Sequence, residues 1–304
     1  MADPAPRIAL APAGQREWLG KAVEVGGGVL GDPADAEALV WASTGGAADL
    51  AATLHDGLRW VQLPWAGIEP FLDVLDDRRT WTCAKGVYAE PVAEHVLALA
   101  LAGLRRVGAY ARADRWEEPA GENLLRAPVT IVGGGGITGA LLRLLGPFRC
   151  DVTVVRRHPT PMEGATRVVP QSALDEALAS ALLVVLALPL VPETTSLIGA
   201  VQLDRMRPDA WLVNVGRGRH VVTDDLVDAL RFGIIGGAAL DVTDPEPLPQ
   251  GHPLWSLPNC IVTPHIGNTP DMAQPLLEER ITENVRRFAR GEELLGLVDP
   301  SLGY

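Results

Sequence analysis

An arginine, a glutamate and a histidine each stand just beyond an apolar run in the second half of this chain. Arg217 lies in Asn-Val-Gly-Arg-Gly at 214–218, Glu246 in Leu-Asp-Val-Thr-Asp-Pro-Glu-Pro at 240–247, and His265 in Thr-Pro-His-Ile-Gly at 263–267. Imidazole changes charge near neutral pH, so it can give or take a proton during turnover. A guanidinium offers a planar fork to a carboxylate. A carboxylate beside an imidazole favours its charged form. Brought together, the three make an acid–base site for a small anion.

A second kind of chemistry is written upstream. An apolar run from Val129 to Val132 reads as a buried strand, four glycines follow, and 140–145 has helical character. Strand, glycine turn and helix form the corner that receives a dinucleotide pyrophosphate on backbone N–H groups. Two registers are open. Gly133 and Gly135 lead to Thr138, whereas a slip by one gives Gly134, Gly136 and Gly139. The first is preferred because Gly133 directly follows Val132, and it leaves Thr138 where a third glycine allows close helix–strand packing. The next apolar run, 152–155, ends in Arg156, Arg157 and His158, with no acid. A site for NAD(H) places a carboxylate there to hold the ribose 2′-hydroxyl, whereas an arginine pair suits a 2′-phosphate. NADP(H) is therefore the favoured coenzyme, with NAD(H) possible.

Elements that can position these residues follow from the apolar pattern. Short runs at 8–10, 39–41 and 60–63 read as early strands. Runs at 129–132, 152–155, 182–188, 211–215, 238–242 and 260–263 read as later ones. Stretches such as 172–179 and 223–232 have helical spacing. Continuous apolar strands separated by helices predict parallel sheets covered on both faces. Their carboxyl ends are where ligands bind, and that is where Arg217, Glu246 and His265 fall. The segment 91–104 starts with Pro91 and is almost unbroken in apolar residues, which predicts a helix buried at a domain or subunit interface. A final helix over 272–290 is expected to pack back on the first domain. The predicted fold is α/β with two doubly wound, Rossmann-like parallel-sheet domains. A larger dinucleotide-binding domain (93–271) is inserted into a smaller substrate domain (1–92 and 272–304).

Composition narrows the partners. The net charge of −12 repels nucleic acid, and it requires a local positive group wherever an anionic substrate binds. No stretch has the length of a membrane span, and the first residues lack a basic region followed by an apolar core. Cys83, Cys150 and Cys260 are scattered without metal-like spacing, which fits a cytoplasmic protein with no metal site. Only Lys21 and Lys85 are lysines, so the Tyr-x-x-x-Lys pattern of short-chain dehydrogenases is excluded.

Taken together, these motifs resemble those of the D-isomer-specific 2-hydroxyacid dehydrogenases, particularly the glyoxylate/hydroxypyruvate reductase branch. The resemblance runs from about Leu58 to Asn268. It includes Pro-Trp-Ala-Gly-Ile-Glu at 64–69, Lys-Gly-Val-Tyr-Ala-Glu-Pro-Val-Ala-Glu-His at 85–95, the glycine turn, and Leu-Pro-Leu-Val-Pro-Glu-Thr at 188–194. It implies an NAD(P)-dependent oxidoreductase that reduces a small anionic 2-keto acid to the D-2-hydroxy acid.

The resemblance also implies residue roles. Arg217 binds the substrate carboxylate and polarises the keto oxygen, His265 is the acid–base, and Glu246 orients the imidazole. Asp241 contacts the nicotinamide carboxamide. The backbone of Ala66, Gly67 and Ile68 receives the substrate carboxylate, with Trp65 beside it. Gly133, Gly135, Gly136, Ile137, Thr138, Arg156, Arg157, Leu188, Pro189, Val215 and Gly216 complete the expected coenzyme contacts. A homodimer is also implied. His95 is expected to be a structural residue, and His55, His220 and His252 belong to no visible constellation. Two other functions are carried as alternatives. One is phosphoglycerate oxidation, disfavoured because the sequence ends at Tyr304 without an added regulatory domain. The other is a non-catalytic nucleotide sensor.

Overall fold

A computed structural model describes residues 4–43 and 45–300. The chain divides into two compact units, Met1–Tyr88 with Thr269–Tyr304, and Ala89–Asn268.

The first unit holds a five-stranded parallel sheet of order β2-β1-β3-β4-β5. Its strands are β1 (Arg7–Ala11), β2 (Val29–Leu30), β3 (Ala38–Trp41), β4 (Trp60–Gln62) and β5 (Thr80–Thr82). Helices α1 (Leu19–Val25) and α2 (Ala47–Thr53) connect them. Leu39, Trp41, Leu50, Leu63, Phe71 and Trp81 form its core. The last helix, α9 (Pro270–Arg290), belongs to this unit, where Thr282 Oγ1 donates to the Ala22 carbonyl of α1. A buried polar chain ties it down further. Trp60 Nε1 donates to Thr82 Oγ1 (2.7 Å), which donates to Gln62 Oε1 (2.8 Å), and Asn284 Nδ2 donates to that same oxygen (2.9 Å). Every side-chain polar atom of this four-residue network has a partner, as burial demands.

The second unit holds a seven-stranded parallel sheet of order β12-β11-β10-β9-β6-β7-β8. Its strands are β6 (Pro128–Val132), β7 (Asp151–Val155), β8 (Arg167–Val169), β9 (Leu183–Leu186), β10 (Trp211–Asn214), β11 (Gly237–Leu240) and β12 (Cys260–Val262). Two apolar layers, one on each face, bury the central strands, as their unbroken Val, Ile and Leu runs require. Helices α3 (Ala89–Leu104), α4 (Val107–Ala111), α5 (Gly136–Leu145), α6 (Leu174–Ser180), α7 (Ala200–Arg205) and α8 (Thr223–Arg231) flank them.

The apolar character of α3 has a simpler cause than an interface. Ala93, Val96, Leu99, Ala100 and Leu104 are buried inside this unit's own core, with Leu141 and Trp211. Gly103 lets the helix approach closely, because a Cβ there would meet the Trp211 ring. Among the described residues no helix is long and apolar enough to cross a membrane.

Candidate active site

Because every pairing in the larger sheet is parallel, the loops after β6, β7, β9, β10, β11 and β12 all leave the same edge. Chain order reverses between β6 and β9, the switch point at which such sheets open a ligand crevice.

The glycine turn follows β6. Gly133 has φ +112°, and a Cβ on it would collide with the Ala187 carbonyl, so this position requires glycine. Gly139 has open space around it and needs no glycine. Gly135 is equally open, so Gly133 is the position in this turn whose backbone itself demands glycine. The threonine in the third place is accommodated rather than disruptive. It is fully buried, and its Oγ1 donates to the Gly133 carbonyl at 2.8 Å, pinning helix to turn. Gly135 precedes the first residue of α5, Gly136, so the helix starts inside the turn, and Ile137 follows in its first turn. After β7, the Arg156 side chain runs alongside Gly134, where a Cβ would come within 2.8 Å of its Cδ and Nε. Arg156 is half-buried and Arg157 exposed.

Leu188 and Pro189 follow β9. Their loop is fastened by His220, a fully buried residue that pattern reading left without a role. Its Nδ1 lies 2.9 Å from the Thr194 carbonyl and its Nε2 3.1 Å from the Leu188 carbonyl. Thr194 Oγ1 also donates to the Pro189 carbonyl at 2.8 Å. After β10, Asn214 braces the next loop. It accepts from Gly216 N–H (3.0 Å) and donates to the Arg217 carbonyl (2.9 Å). Val215 and Gly216 are buried, whereas Arg217 is half-buried.

Asp241 directly follows β11 and is 3 % exposed. Its carboxylate accepts from Thr263 Oγ1 (2.6 Å), Ile266 N–H (2.9 Å) and Gly267 N–H (2.9 Å), and lies 3.2 Å from His95 Nε2. Burial alone would push this carboxyl up. The hydrogen bonds from His95, Thr263, Ile266 and Gly267 outweigh it and hold the carboxyl at about 2. Asp241 thus clamps the loop that carries His265, and His95 joins the clamp from α3. His265 itself is left-handed (φ +54°), with its N–H donating to the Asp241 carbonyl at 2.9 Å. Its Nδ1 lies 2.7 Å from Glu246 Oε1. The imidazole remains 54 % exposed, so Nε2 is available to solvent and ligand. Three residues on, the Asn268 amide is buried with neither polar atom partnered, a group that sequence patterning gave no reason to select.

Trp65, Ala66, Gly67 and Ile68 belong to the first unit. Among the described residues the N–H groups of Ala66, Gly67 and Ile68 have no acceptor. Cys83 lies beneath them, its thiol 3.8 Å from the Ala66 carbonyl.

Residues 95–267 match the model of the D-isomer specific 2-hydroxyacid dehydrogenase NAD binding domain. An uncharacterised protein from the proB 3′ region of Corynebacterium melassecola is 40 % identical over 259 residues, covering 83 % of this chain and 85 % of that one. A glyoxylate/hydroxypyruvate reductase A of Photorhabdus laumondii is 31 % identical over 216 residues, covering 69 % and 68 %. A D-isomer specific 2-hydroxyacid dehydrogenase of Xanthobacter autotrophicus, crystallised with NADPH and MES, superposes with a TM-score of 0.87 at 29 % identity. It covers 99 % of this chain and 100 % of its own.

Proposed function

Because the chain belongs to the D-isomer specific 2-hydroxyacid dehydrogenase family, and is an NAD(P)-dependent enzyme of that kind, we propose that it reduces a small 2-keto acid of the glyoxylate/hydroxypyruvate type to the D-2-hydroxy acid, preferring NADPH. The observation that carries this reading is the 2.7 Å contact between His265 and Glu246 on the sheet edge that also bears the glycine turn.

A bound nicotinamide coenzyme supplies the hydride that adds to the carbonyl carbon. The keto oxygen gains the charge, and His265 hands it the proton from Nε2, since Nδ1 is held by Glu246. Arg217 offers its guanidinium to the carboxylate and to the developing oxyanion. The N–H groups of Ala66, Gly67 and Ile68 receive the substrate carboxylate, with Trp65 lining that loop. In sum, a 2-keto acid, a proton and NADPH become a 2-hydroxy acid and NADP⁺. The turn from Gly133 to Thr138, with Leu188, Pro189, Val215 and Gly216, would hold the coenzyme. Asp241 would contact its carboxamide. The unit Ala89–Asn268 serves as the coenzyme domain and the other as the substrate domain.

NADPH is preferred on the strength of Arg156, which packs on the turn, and Arg157, with no acid at the end of β7. Replacing both arginines with alanine is expected to weaken NADPH binding by at least roughly tenfold, with NADH changed far less. Equal losses in a fluorescence titration would reject the 2′-phosphate role. A homodimer is what the family resemblance implies, and sedimentation checks it. Three free cysteines support a cytoplasmic setting. The reading as a whole is tested by coenzyme oxidation with glyoxylate, hydroxypyruvate and larger 2-keto acids. No turnover with either coenzyme, in either direction, would end it.

A further inference from the structure

Arg16 carries two costs that the fold does not repay. Its backbone is left-handed (φ +47°), which is uncommon for a residue with a side chain. Its Nη1 is buried and has no hydrogen-bond partner, although a desolvated donor without an acceptor is expensive. The guanidinium lies over the Trp65 ring, with Cζ 4.5 Å from the ring centre. Trp65 is the residue before Ala66, Gly67 and Ile68, and its ring also meets Tyr88 in a tilted contact with centroids 6.1 Å apart. Strain and an unmet donor on one residue, held by stacking beside a loop of open N–H groups, mark a place kept for a ligand.

The ligand that would repay these costs is an anion. Arg280 donates from Nη1 to the Cys83 and Lys85 carbonyls in the same region. Lys85, Arg280 and, with opposite sign, Glu69 bear on the Cys83 thiol, while Arg16 and Arg280 both bear on the Tyr88 hydroxyl. In a chain of net charge −12 this is a local concentration of cations. The carboxylate common to every 2-keto acid is already provided for by the loop N–H groups. A further guanidinium is redundant for glyoxylate and useful only to a substrate with a second negative group.

We propose that Arg16 is a specificity-determining residue that selects 2-keto acids bearing a second anionic group, a carboxylate or a phosphate, at the end remote from the common carboxylate. This rests on the reductase reading above. Burial of the guanidinium, which lowers its affinity for the proton, agrees with a group waiting for a counter-charge.

The test uses length-matched pairs with the whole enzyme and NADPH: 2-ketobutyrate against 2-ketosuccinate, 2-ketovalerate against 2-ketoglutarate, and hydroxypyruvate against its 3-phosphate. The anionic member of at least one pair is expected to lead in kcat/KM by at least roughly tenfold. Which pair shows it separates carboxylate from phosphate. Arg16→Ala should abolish that lead while changing the uncharged member by less than about threefold, and Arg16→Lys should retain part of it. Thermal unfolding of Arg16→Ala should occur at or above the wild-type temperature, because strain and a desolvated donor are removed. The proposal is overturned if the uncharged member leads in every pair. It is also overturned if both members fall equally in Arg16→Ala, which would mark a structural role.

Absence of turnover on every keto acid would instead defeat the reductase reading. Calorimetry with D-malate and D-2-hydroxybutyrate then decides on Arg16 alone. Tighter binding of malate that disappears in Arg16→Ala supports it, and equal binding by the two proteins overturns it.

Discussion

The larger unit contains two imidazole–carboxylate pairs built from the same chemistry and put to different uses. His265 and Glu246 meet at 2.7 Å with side chains 54 % and 42 % exposed, whereas His95 and Asp241 lie 3.2 Å apart at 17 % and 3 %. Asp241 also accepts from Thr263, Ile266 and Gly267. A carboxylate with that many donors has its charge fixed and its position locked. Glu246 also accepts a long bond of 3.4 Å from Thr243 N–H. Under the proposed function the pair that transfers the proton is the half-exposed one, whose imidazole keeps a nitrogen for substrate. The saturated pair holds the backbone on which the first pair stands. Contact between imidazole and carboxylate does not by itself identify a catalyst; exposure and the number of other partners do.

This contrast can be broken at either pair. The largest effect is expected from His265→Ala, which should lower turnover by roughly 10²-fold or more while leaving coenzyme affinity and unfolding temperature nearly unchanged. Near-normal turnover would remove His265 from the mechanism.

Asp241→Asn should act on stability. The carboxyl sits at about 2 rather than at its ordinary 3.8, and each unit is worth about 1.4 kcal/mol, so a loss of about 2 kcal/mol is expected in urea at neutral pH. Because the folded value is depressed, this contribution is fully present above about pH 4 and is lost as pH falls toward about 2. The wild-type protein should lose its advantage over the variant across that window. Equal stability at pH 7 would show that the clamp contributes nothing.

The smallest effect is assigned to Thr263→Val, which removes a single 2.6 Å bond to Asp241 and should cost about 1 kcal/mol with little change in turnover per folded molecule. A large loss of turnover without a loss of stability would blur the division between the pairs.

Much of this architecture is legible in the amino-acid sequence because the central strands are buried on both faces. Val129 to Val132 and Trp211 to Asn214 read directly as apolar runs followed by a change of chemistry. The strands that the pattern does not reveal are β2, β5 and β8, each at a sheet edge. Val29 and Leu30 are both exposed, and Arg167–Val169 is nowhere fully buried; at two and three residues, each is too short to stand out as an apolar run. The same division runs through the site. Arg217, Glu246 and His265 stand out because each follows a readable strand. His220, Asn214 and Asn268 do not, because their roles depend on backbone carbonyls and N–H groups that only the folded chain brings near. Resemblance places Asp241 at the coenzyme. Its four donors, which make it the anchor of the His265 loop, become visible only with the loop in place.

Under the proposed function, hydride adds to one face of the carbonyl carbon of a 2-keto acid and His265 gives the proton to its oxygen. Chiral analysis of the product formed from hydroxypyruvate and NADPH tests it most directly. The wild-type protein should yield D-glycerate, and His265→Ala should yield almost none while still binding NADPH. L-glycerate or a racemic product, or undiminished D-glycerate from the variant, would contradict the claim.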